Sequence, residues 1–377
     1  VEAKGQYGST GLLNAATGSG SVSTFHIGEL SGTVYAEHFY ENPSNSYNND
    51  SDFKAAGIQS SASSTGTATL TIDNLSGIAA VNSFDSKDTD GKSKAYGLTA
   101  STSVNAAISG IVFAGSCKNG DLLRQLEKIQ QGTATADTVT GNATGYAIVG
   151  GKGDDVITLN AGAKVFGMIA LNSGNDILNI AAQAEIFGSV DGDILTLTNN
   201  GVISGDVSGQ TLTISGTGSI SGAVYGGAIL GTGALELDTV SITVSGNTVA
   251  GGIYAGAYAV AGSAAHVKNA FITVNGTDNI IHASGSGANS TTDNVTITIG
   301  NTFGGKILAD DGQAAVVTLK SGSQFNGTMQ FDANDTLVVE LGAVLGNSID
   351  LNGGKLKIVV PASGVRLRAA VANLADI

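Results

Sequence analysis

The sequence predicts an all-β chain wound as a parallel β-helix, or β-solenoid. Three observations predict it. Short strand-like runs recur at set steps. A second, glycine-led run recurs at the same steps. The composition is rich in glycine and almost free of proline.

The strand-like runs are "VITL" 156–159, "ILNI" 177–180, "ILTL" 194–197 and "TLTI" 211–214. Each is β-branched or alternates in polarity, as half-buried strands do. Their last residues, Leu159, Ile180, Leu197 and Ile214, are 21, 17 and 17 residues apart. Later runs continue the series: "SITV" 241–244, "FITV" 271–274, "TITI" 296–299, "VVTL" 316–319 and "LVVE" 337–340. The second run is Gly, any residue, then Ile, Val or Met, as in "GMI" 167–169, "GSV" 188–190, "GDV" 205–207 and "GAV" 222–224. Gly167, Gly188, Gly205 and Gly222 again step by 21, 17 and 17. One repeat therefore forms one coil of two or three short strands. A single coil cannot bury its apolar side chains, but stacked coils bury a continuous column. Neighbouring coils then lie about 4.8 Å apart.

Of 377 residues, 55 are Gly, 2 are Pro, none is Trp and 13% are charged, while 42% are hydrophobic. Glycine tolerates corners, and proline lacks the donor that a strand ladder needs. Enough apolar mass is present for a core. The surface is left to Ser, Thr, Asn and Gly.

Taken in order, residues 1–145 read as irregular N-terminal coils. "STFHIGELSGTVYAE" 23–37, "ATLTIDNLSGIAAVN" 68–82 and "TSVNAAISGIVFAGS" 102–116 each hold a strand, a small-residue corner and a second strand. Long insertions follow the second strand at about 37–66 and 83–96, which predicts one shared edge of the stack. Aromatic residues recur after that strand: Tyr35, Phe113, Tyr225 and Tyr254. "GDLLRQLEKIQQG" 120–132 has Leu122, Leu123, Leu126 and Ile129 at helical spacing. It reads as a short amphipathic helix bracing the solenoid, in preference to a partner-binding helix. Residues 146–360 form the regular solenoid, and 361–377 a C-terminal tail or cap.

"GGKGDDVI" 150–157 fits the pattern of calcium-binding β-roll repeats. It matches once, with degenerate echoes in "NSGNDIL" 172–178 and "VDGDIL" 190–195. Asp155, Asp176 and Asp193 each stand just before a strand, so stacking is expected to align their carboxylates. Adjacent like charges repel, and calcium is one remedy, since it accepts 6–8 oxygens. Local turn bonding is the other, and weighs more. Gln210 takes the next equivalent place, which ends the column. Calcium at Asp155, Asp176 and Asp193 is thus the one metal site expected, with no other cofactor.

Repeats such as "GVISGDVSGQTLTISGTGSISGAVYGG" 201–227 and "ITVSGNTVAGGIYAG" 242–256 resemble the passenger domains of bacterial autotransporter adhesins and related β-helical surface proteins. The likeness covers about residues 20 to 360 and is one of style, so no functional residue is carried over. It implies a right-handed helix exported to the cell surface, normally followed by a membrane β-barrel. Here the sequence ends instead at "SGVRLRAAVANLADI".

The net charge of −14 disfavours nucleic acid and anionic lipid as partners. No stretch reaches the ~18 consecutive apolar residues of a membrane span. A single cysteine, Cys117, excludes an internal disulfide, and Val1 in place of Met is expected of a processed chain. Histidines 26, 38, 266 and 282 fall in different repeats without metal-ligand spacing; His38 near Glu37 and Glu41 reads as a solvated edge. The expectation is an extracellular structural or adhesive protein of the bacterial surface. Its partners would be other cell surfaces, glycans or copies of itself. Self-assembly into a filament or surface layer is one alternative. A polysaccharide-active β-helix enzyme, using carboxylates such as those of "GDDVITL" or "ADDGQ" 309–313, is the other.

Overall fold

The computed structural model describes residues 2–5, 9–40, 54–62, 65–85, 94–117, 121–230, 233–276, 278–287, 289–309 and 313–360. The tail 361–377 lies outside them. The chain is a parallel β-solenoid with three faces. Each coil crosses the first, second and third face in turn, then climbs to the next. The first face has nine strands, from Glu2–Gly5 to Thr248–Val249, and resumes as three strands, Thr302–Phe303, Gln324–Phe325 and Val344–Leu345. The second has twelve, from Ser9–Ala16 to Thr328–Gln330. The third has thirteen, from Val22–Leu30 to Lys355–Val359. The third face runs in register from Ser103–Ile108 into Val156–Leu159 without a break.

Alternation decides what goes inside. Along the third face an inward column runs Ile72, Ala106, Ile157, Leu178, Leu197, Ile214, Val244, Val274, Ile299 and Leu319. All ten are buried. Each fully buried aliphatic contributes about 1.5–3 kcal/mol, so a coil is held mainly by the coils above and below it.

The structure corrects the expected register at one step. Leu159, Ile180, Leu197 and Ile214 are all buried, and Leu159 pairs with Ile180. Ile180, however, lies on Asn199, while Leu197 lies on Leu178. The coil loses two residues at the corner before the third-face strand and two more after it. On this face the steps are therefore 21, 19 and 17, from Ile157 through Leu178 and Leu197 to Ile214. A slip of two residues keeps every side chain on its own side of the sheet, so alternation does not reveal it.

The glycine column lies at the corner between first and second faces, and it stacks backbone on backbone. A Cβ on Gly188 would lie 2.2 Å from the Gly167 carbonyl oxygen; on Gly205 it would lie 2.6 Å from Gly188. Close approach of successive corners, more than turn conformation, excludes a side chain there.

In the N-terminal third the insertions are shorter than expected. Lys54–Ala62 and Lys94–Ala100 are second-face strands, so the two long connections shrink to 41–53 and 86–93. Both join a first-face strand to a second-face strand. Helices α1 (Leu122–Gln130) and α2 (Asp137–Thr140) occupy the same corner of the next coil, so the shared edge is present. Gly132, with φ of 71°, follows α1 where the sequence places its stop. Leu122, Leu126 and Ile129 of α1, with Val139 of α2, cover Ile78, Ile111, Phe113 and Phe166 on the first face. The helix is a brace.

Tyr35 and Phe113 share one column of that braced face with Ala80 between them, and the column is aromatic from Phe113 onward, Phe113 lying in register on Phe166 and Phe166 on Phe187. Tyr225 and Tyr254 stand apart, on the second face. Beyond Tyr225 the corner between second and third faces swells into a fin. It contains strands Ile229–Leu230 and Tyr258–Ala259 and the lengthened beginnings of Gly233–Ser245 and Ser263–Asn275. Ala257, Ala259 and Ala265, with Leu235, form its small core.

Buried asparagines tie coils together at another corner. Asn199 Nδ2 donates to Asn247 Oδ1 at 2.9 Å, and Asn279 Nδ2 donates to the Asn247 carbonyl at 3.2 Å. Gly218, in the intervening coil, makes room: a Cβ there would lie 2.8 Å from Asn199 Cγ.

Candidate functional site

Asp155 and Asp176 come together as the sequence predicts, and Asp193 does not. Asp176 lies within the strand Asn175–Ile180 and pairs with Leu195. Asp193 is exposed, two positions before Leu195 and just outside the strand Ile194–Asn199, and is followed in the next coil by Gln210. The expected column of three carboxylates is a buried pair plus an outlier, displaced by the same two-residue slip.

The pair occupies an inward column of the third face. Leu70 and Val104 hold this column in the coils before it, and Leu195, Leu212, Ile242 and Ile272 in those after it. Asp155 and Asp176 are 0% and 1% exposed. Asp155 Oδ1 accepts the Val104 amide at 2.5 Å; Asp176 Oδ1 accepts the Asp155 amide at 2.9 Å. Oδ2 of both residues is buried without a hydrogen-bond partner. Burial pushes Asp155 up to about 7, the Val104 amide pulls it back, and the charge of Asp176 raises it again. Burial likewise pushes Asp176 up to about 6, opposed by the Asp155 amide. A buried aspartate elsewhere, Asp335, has both oxygens engaged, by the amides of Ala315 and Asp332. Among the described residues no three His, Cys, Asp or Glu side chains converge as a metal site would require.

The third face carries the most regular surface. One outward column reads Thr196, Thr213, Thr243, Thr273, Thr298 and Thr318 in six successive coils. None of these hydroxyls is engaged by a protein partner among the described residues. Beside them stand Ile194, Phe271 and Val316, and below them Val156 and Ile177, all 37–47% exposed. Period-2 alternation builds this array: the aliphatic between each pair of outward residues is what the core consumes.

On the second face Tyr225, Tyr254 and His282 stack, with centroids 5.1 and 4.1 Å apart. The rings turn their faces to one another, which leaves chiefly edges for a ligand. Burial pushes the Tyr225 phenol up to about 12. At the foot of the fin a cleft of about 70 Å³ is lined by Asp191, Asp193, Gln210, Leu235 and Leu237. Burial raises Asp191, and the Ser208 hydroxyl opposes this. His26 and His266 make exposed contacts to Asp73 and Asp293 at 2.8 and 2.9 Å. Asp310 and Asp311 of "ADDGQ" and Glu41 lie outside the described residues. No helix of the described residues is long and apolar enough to cross a membrane.

No protein-family model, no curated protein sequence and no solved structure matches this chain.

Proposed function

We propose that this chain is an extracellular, non-enzymatic protein of the bacterial surface, a rigid solenoid that mediates adhesion to other surfaces or to copies of itself. The third face makes the contact. The observation that carries this reading is the six-threonine column with unengaged hydroxyls, flanked by half-exposed apolar side chains in register. Each coil offers one weak polar and apolar contact. Repetition along a stiff rod adds them, so avidity comes without a deep pocket.

A variant with Thr213→Lys, Thr243→Lys and Thr273→Lys tests it, because these side chains point outward and leave the core untouched. Beads coated with the protein should lose attachment to cells and to each other, with the melting temperature unchanged. Unaltered attachment would remove the third face from the account.

A filament or surface-layer subunit is the second reading. It is favoured by the last described third-face strand, Lys355–Val359, where Leu356, Ile358 and Val359 are 36–48% exposed. Open strand edges template further pairing. Association that survives the threonine substitutions would favour this axial mode.

A further inference from the structure

We propose that a recess at the corner between the third and first faces binds one ring of an uncharged sugar, so that the glycan this rod takes is a neutral one. The proposal rests on the third face being the contact surface, and it adds one specific seat to the repeated contacts. The recess has a volume of about 140 Å³ and lies over the buried Leu159 and Ile180. A water needs about 10–15 Å³ of such space, so the recess takes about ten atoms of that size, which is the scale of a hexose ring.

Its origin is the register slip. Four residues, 181–184, join Ile180 to Glu185, whereas only Asn200 and Gly201 join the aligned residues Asn199 and Val202 in the next coil. The longer corner forms a ledge beside the shorter one. Gly201 packs tightly against it: a Cβ there would lie 2.3 Å from the Ala184 carbonyl oxygen and 2.9 Å from that of Ala181. Thr158, Asn179 and Thr198 stand in register in three successive coils and line the recess with Asn200 and Ala181. No protein group among the described residues engages the side chains of Thr158, Asn179 or Thr198. Asn200 Oδ1 accepts the Thr217 amide at 3.1 Å, which leaves its Nδ2 as a donor.

The lining is polar and carries no charge, in a chain whose net charge is −14. Lys164 and Glu185, further round the corner, are taken up with each other. A charged ligand would find no counter-charge here. An apolar one would strip water from unengaged polar side chains and put nothing in its place. A hydroxyl-bearing ring replaces that water with hydrogen bonds to the two hydroxyls and two amides, and the methyls of Thr158, Thr198 and Ala181 suit its C–H surface. Val156 and Ile177, each 39% exposed, stand two residues before Thr158 and Asn179 on the same side of the sheet and offer apolar surface to an adjoining ring.

NMR on the full chain tests this with neutral oligosaccharides of glucose, galactose and mannose, and with a uronic-acid oligosaccharide as the charged control. At least one neutral sugar should receive saturation from the protein and shift the Asn179 side-chain amide resonances; the uronic acid should do neither. Asn179→Tyr fills the recess from an outward strand position and should weaken binding about tenfold or more, with the melting temperature unchanged. No transfer to any neutral sugar, a preference for the uronic acid, or equal binding by Asn179→Tyr would each overturn the proposal. The resonance shifts are read on wild-type protein, so a variant that fails to fold leaves the test standing. The threonine-to-lysine variant keeps the two readings apart. If it abolishes attachment while no neutral sugar binds, the recess fails and the third-face reading stands. If sugar binds through Asn179 while attachment survives the lysines, the third-face reading fails and the recess stands.

Discussion

The compact coils between Val156 and Ser215 and the finned coils between Gly233 and Ile299 solve one packing problem with different amounts of chain. In the first region the third-face step shortens from 21 to 19 to 17 residues. In the second it is 30, 30 and 25, from Ile214 through Val244 and Val274 to Ile299. The inward column is nevertheless continuous across both, and every member is buried. The interior cross-section is therefore conserved from coil to coil, and the corners absorb the difference. Stability should reside in the shared column, and variation in the corners.

The largest break in this comparison should come from the column itself. Leu197→Ala, in the compact region, is expected to cost about 2–5 kcal/mol, measured by denaturant unfolding. A cost below about 1 kcal/mol would mean that the compact coils do not depend on the shaft they share with the finned ones. A smaller loss, about 1–3 kcal/mol, is expected from Gly188→Ala, whose new methyl collides with the Gly167 carbonyl. The smallest should come from the fin. Leu235→Ala removes only a partly buried contact with Ala257, Ala259 and Ala265, outside the main core. Hydrogen exchange should show faster opening at residues 233–237 and 257–265 while the amides of 241–244 stay protected. If the inner strand opens as well, fin and shaft are one cooperative unit and the contrast fails.

What was legible in the residues follows from parity. Alternation places Ile157, Leu178, Leu197 and Ile214 inside because a strand offers two sides and the core accepts only one chemistry. The same two-fold period is blind to a shift of two, which is why repeat spacing alone aligns Ile180 with Leu197 and draws Asp193 into the acidic column. Helix α1 was legible because Leu122, Leu126 and Ile129 repeat with a period that no strand shares. The second-face strand Lys54–Ala62 was not, since "KAAGIQSSA" buries small residues that resemble a loop. The threonine array was visible only as scattered Ser and Thr until the register aligned one column of them. The burial of Asp155 and Asp176 is hidden because "GDD" 153–155 and "GND" 174–176 read as turns, and the coils around them decide whether each aspartate faces the core.

The asparagine bridge from Asn199 across Gly218 to Asn247 has a mechanical meaning. A tension that peels the rod from one tip would ordinarily release one winding at a time. Here a side chain from one winding grips the next but one, and Asn279 grips that in turn. The stretch from Asn199 to Asn279 should resist as a block and yield in a single larger jump, a rip-stop woven into the middle of the fibre.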